Sequence, residues 1–124
     1  MITRQPPART PEVTPPSEPA DPLVVLTTCP DDAVAARIAR ELVESGLAAC
    51  VNRIGAVHST YRWQGATHDE PEVLLVIKTL SVRYSELEMR LKSLHPYDVP
   101  EIIALPVAGG SAEYLAWLGG AVSS

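Results

Sequence analysis

Apolar positions recur along the chain with two alternating rhythms. Leu23-Val24-Val25-Leu26, continued by Thr27 and Thr28, is a short unbroken apolar run of the kind found in buried strands. After Cys29-Pro30-Asp31-Asp32 the rhythm changes. Val34, Ile38 and Leu42 recur every four residues with Ala35, Ala39 and Val43 beside them, and Arg37, Arg40, Glu41 and Glu44 take the other side. This spacing predicts a helix to about Ser45. Pro30 and two first-turn carboxylates suit its start, and Gly46 its stop.

Leu47 to Tyr61 reads as a long strand with a flaw. Asn52-Arg53 interrupts its apolar start, and Gly55 suggests a bulge. Strict alternation then puts Val57, Ser59, Tyr61 and Trp63 on one face and His58, Thr60 and Arg62 on the other. Gln64-Gly65 is a turn signal, and the chain returns to the apolar run Val73-Leu74-Leu75-Val76-Ile77-Lys78-Thr79. A long hairpin is predicted, with Pro71 confined to an edge or a bulge because it lacks an N–H for the ladder.

Ser81 is expected to cap a second helix whose buried stripe is Tyr84, Leu87, Leu91 and Leu94. Pro96 ends it, Pro100 sets the next boundary, and Ile102 to Leu105 is predicted as a strand covered on both faces and closed by Pro106. A short helix over 111–118 follows, ended by Gly119-Gly120. The order strand, helix, strand, strand, helix, strand, helix implies a ferredoxin-like βαββαβ sandwich of the mixed α/β (α+β) class. Its sheet is antiparallel and the last helix is an addition. Both main helices cover one sheet face. The other face would be bare in a single copy and the hairpin would overhang it, so assembly into an oligomer is expected.

Composition adds a division. Half of the twelve prolines lie within residues 1–21, which hold almost nothing to bury. These residues are expected to form a disordered or polyproline-like tail ahead of a single domain over 22–124. The net charge of −5, with no basic stripe, argues against nucleic acid or an anionic membrane as partner. No hydrophobic signal core or membrane-length apolar run is present, and two cysteines are too few for a disulfide scaffold. A reducing, cytoplasmic setting is therefore expected.

The candidate chemistry concentrates at one stiff corner, where His95, Tyr97, Asp98 and Glu101 stand among three prolines. His95 reads either as a cap at a helix C-terminus or as a metal ligand. Cys29, where a strand meets a helix N-terminus, is in a setting that lowers a thiol pKa, but it also reads as a small buried residue. Cys50, with apolar neighbours on both sides, reads as core. Tyr61 and Trp63 read as interface packing or a ligand platform. Lys78, at the end of a buried strand, needs a carboxylate partner or an anion. Gly109-Gly110 lacks the spacing of a phosphate loop, and no nucleophile–base set stands out, so neither an organic cofactor nor enzymatic activity is expected.

Six stretches together resemble the CutA family in order and spacing. They are Thr27-Thr28-Cys29-Pro30-Asp31, Gly46-Leu47-Ala48-Ala49-Cys50-Val51-Asn52, Tyr61-Arg62-Trp63-Gln64-Gly65, Leu75-Val76-Ile77-Lys78-Thr79, the His95–Ile102 corner and Tyr114-Leu115-Ala116-Trp117-Leu118. The resemblance implies a ferredoxin-like fold in a very stable homotrimer, an architecture similar to the PII signalling proteins, and a link to divalent-cation tolerance, copper above all. Some members carry two adjacent histidines before Pro-Tyr and a cysteine two places before the position of Cys29; here Leu94 and Thr27 stand there. A metal site would thus be built on His95, Glu101 and Cys29, whose mixed donors suit copper or zinc. The alternative is a PII-like sensor trimer that takes a small anion or metabolite in inter-subunit clefts lined by Tyr61, Trp63, Lys78 and Tyr97, and acts through a protein partner.

Overall fold

Strand β1 (Pro22–Cys29) sends alternate side chains to opposite faces of the sheet. Leu23, Val25, Thr27 and Cys29 are buried, while Val24, Leu26 and Thr28 are only partly covered. This is a computed structural model, and it describes residues 21–122. The tail expected over 1–21 lies, except for Asp21, outside the described residues.

Helix α1 (Asp32–Glu44) starts where the proline and the acidic pair predict. The Asp31 carboxylate accepts from the Val34 N–H at 2.9 Å, and Ala35, Ile38, Ala39 and Leu42 face inward. Gly46, at φ 78°, closes the helix in a left-handed turn. The Leu42 carbonyl then accepts from the N–H groups of both Leu47 and Ala48. Leu47 and Ala48 therefore belong to a buried turn, and β2 (Cys50–Trp63) begins later than the apolar pattern suggests.

β2 and β3 (Ala66–Leu80) form the predicted hairpin. Gln64 and Gly65 at its tip both have positive φ, as a two-residue turn between right-twisted strands requires. The register shifts by one residue between Ile54 and Val57, which face Leu74 and Glu72, and Ala56 rather than Gly55 adopts the left-handed conformation, at φ 62°. The bulge reverses which face the later β2 residues occupy. Ile54 lies on the same face as Leu74, and beyond the bulge the odd-numbered Val57, Ser59, Tyr61 and Trp63 continue that face. Pro71 pairs with His58 past the end of the β1–β3 ladder, where β3 has β2 alone beside it.

A 3₁₀ turn (Ser81–Arg83) precedes α2 (Tyr84–Leu94), so Ser81 is not the cap of α2; Arg83 holds that position without a side-chain hydrogen bond. The sheet is completed by β4 (Ile103–Pro106) in the order β2-β3-β1-β4, antiparallel throughout, the ferredoxin-like arrangement expected. The core packs Ile38 and Leu42 of α1 and Leu87 and Leu91 of α2 onto Val25, Leu75 and Ile77. Helix α3 (Ala112–Ala121) is capped by Ser111, whose hydroxyl accepts from the Tyr114 N–H. It runs through Gly119 and Gly120 instead of ending at them.

β4 departs from expectation. Ile103 and Leu105 are 48% and 45% exposed, and Ile54 is 46% exposed. The reason is topological. Ladder partners place Leu105, Val24, Lys78 and Cys50 in one row, and Ile103, Leu26, Val76 and Asn52 in the next. Both rows lie on the sheet face turned away from α1 and α2. The apolar run in β4 is therefore covered on one side only.

Candidate functional site

Pro96 forces the residue before it out of the helical region, and His95 is extended at φ −83°, ψ 135°. That turns the ring back across the end of β1. The Tyr97 N–H donates to His95 Nδ1 at 3.2 Å, so the ring proton resides on Nε2, which donates to the Thr28 carbonyl at 2.8 Å. The side chain is buried and both ring nitrogens serve the backbone. His95 is thus a strut tying the end of α2 to β1, and a metal would have to displace one of these bonds.

The Tyr97 ring lies 4.7 Å from that imidazole, and its hydroxyl donates to Glu72 Oε2 at 2.6 Å. Glu72, only 7% exposed, is the last acidic residue before the apolar run of β3. Burial first, then the bond to Glu72 and the charges of Glu72 and Glu70, push the Tyr97 phenol well above its ordinary pKa. Across the hairpin the Tyr61 hydroxyl donates to Glu70 Oε1 at 2.8 Å, and this bond raises its pKa as well. Both phenols remain protonated donors at neutral pH and orient their carboxylates.

These elements enclose a cleft of about 690 Å³. β2 contributes Ser59, Thr60, Tyr61 and Trp63; the corner contributes Tyr97 to Glu101; Thr28 and Glu72 form the remaining wall. The acids among the lining residues are Glu72, Asp98 and Glu101, and among the described residues no Lys, Arg or His lines it. The structure therefore brings together Tyr61, Trp63, Tyr97 and Glu101 of the candidates. Lys78 stands apart, on the open sheet face in the row of Val24 and Cys50, with its Nζ donating to Asn52 rather than to a carboxylate. Glu72 was missed by sequence reasoning. The available signal was its phase, since it falls on the same alternation as Leu74 and Val76.

Cys29 is fully buried, on the face that meets the helices. Burial above all, then the charges of Glu72 and Asp31, push its thiol up to about 11 against the opposing pull of Arg37. Desolvation outweighs the helix N-terminus that suggested a lowered pKa. A raised pKa holds the proton more tightly in the folded state. Its contribution is complete below the unfolded thiol value of about 9 and is lost as pH rises toward about 11. Urea midpoints between pH 9 and 11 are therefore expected to fall more steeply in wild type than in Cys29→Ala, by up to about 1.4 kcal/mol per pH unit. Equal slopes would show that the thiol is not desolvated. Cys50, read as core, is instead partly exposed on the open face and is expected to react first with a thiol reagent.

Among the described residues no three or more His, Cys, Asp or Glu side chains gather closely enough to hold a metal ion. The model of one protein family, described as CutA1 divalent ion tolerance protein, matches residues 23–121. The divalent-cation tolerance protein CutA of Thermus thermophilus is 53% identical over 95 residues, spanning 77% of this chain and 92% of the relative. The chloroplastic protein CutA of Arabidopsis thaliana is 42% identical over 96 residues, spanning 77% of this chain and 53% of the relative. The crystal structure of CutA from Xylella fastidiosa superposes with a TM-score of 0.81 at 43% identity, covering 83% of this chain and 99% of that one. A match over nearly the whole described domain, in sequence and in fold alike, means that the chain belongs to the CutA1 divalent ion tolerance family.

Proposed function

We propose that this chain serves divalent-cation tolerance by binding rather than by catalysis, as a cytoplasmic homotrimer, with the cation drawn to the acidic cleft. The observation that carries this is the lining itself, which among the described residues has three carboxylates and no basic side chain. An anion meets repulsion there, and Lys78, the cation an anion sensor would use, lies elsewhere on the sheet. The donors presented to the cleft are oxygens, those of Glu72, Asp98 and Glu101. Oxygen donors suit a hard divalent cation, and within the described residues of one chain no three of them converge on a single point. Within one chain the mixed nitrogen–sulfur–oxygen set expected from the sequence is not brought together, since His95 bonds to Thr28 and Tyr97 and Cys29 is enclosed. Among first-row divalent metals copper is expected to bind such a site most tightly, although oxygen donors alone do not select it.

In the assembled protein Glu72 and Glu101 would hold the ion, and Tyr97 would orient Glu72. Bound, the ion would supply positive charge to a cleft whose described lining has none. The trimer is supported by the apolar residues left open on the second sheet face, and the cytoplasmic setting by two unpaired cysteines. No helix of the described residues is long and apolar enough to cross a membrane. Calorimetric titration of copper, zinc and magnesium is expected to give saturable binding in the order copper, zinc, magnesium. Glu72→Gln and Glu101→Gln should each weaken it about tenfold or more. Binding that survives both substitutions, or binding of phosphate-bearing anions in place of cations, would overturn the proposal.

A further inference from the structure

We draw no further inference here: the strongest candidate, the apolar side of helix α3 where the exposed Tyr114 and Trp117 rings stand 5.5 Å apart, carries nothing because nothing in the structure shows what covers it.

Discussion

Ile103→Asp is expected to turn the proposed trimer into a monomer or an aggregate, the largest effect of any single substitution considered. Ile103 is 48% exposed on the sheet face that the helices do not cover, one row from Leu105 and directly beside Leu26. An aliphatic patch of this kind on a small domain marks an interface. In a closed symmetric assembly each substitution enters the interface once per subunit, so three carboxylates would be desolvated together. Each costs several kcal/mol after relaxation, more than an interface of ordinary size tolerates. Light scattering at micromolar concentration is expected to give three times the chain mass for wild type and one chain mass, or heterogeneous aggregate, for Ile103→Asp. A monomeric wild type would sink the assembly proposal. An unperturbed trimer in Ile103→Asp would place the interface on another surface.

His95→Ala is expected to lower stability by about 2–4 kcal/mol at fixed protein concentration, whether or not any metal is present. The substitution deletes two hydrogen bonds from a side chain that is only 7% exposed, and it strands the Thr28 carbonyl and the Tyr97 N–H. Unsatisfied buried groups of this kind each cost about 1–3 kcal/mol. The ring also backs Tyr97, so the Tyr97–Glu72 bond should loosen and the cleft with it. Urea denaturation with EDTA in the buffer checks this. A loss below about 1 kcal/mol would mean that the ring is not a strut and that its nitrogens are available to a ligand. If stability falls and copper binding is retained, the imidazole acts on the corner and not on the ion.

Much of this molecule was legible in one dimension. The four-residue spacing of Val34, Ile38 and Leu42, and that of Leu87 and Leu91, could bury a face only as helices. The alternation from Val57 to Trp63, with Gln64-Gly65 behind it, could only be a hairpin arm. Two prolines, Pro96 and Pro100, made the His95–Glu101 corner stiff whatever surrounded it, and about half of the cleft lies there. Other features depended on partners distant in sequence. Ile102–Leu105 looks the same to a reader of sequence whether a sheet is covered on one face or two; the order β2-β3-β1-β4, with both main helices on one side, decided it. The bulge at Gly55-Ala56 was visible, but its consequence, turning Tyr61 and Trp63 toward Glu72 and Tyr97, needed the register. The pKa of Cys29 was set by a contest between a helix N-terminus, which the sequence shows, and desolvation, which only packing creates. The same holds for His95, whose residue type offered a metal two nitrogens until the fold brought one to the Thr28 carbonyl and the other to the Tyr97 N–H. Local rhythm determines which segments become helix or strand because it acts over a few residues. Which groups remain free to bind is decided across the sheet, where the partners are tens of residues away.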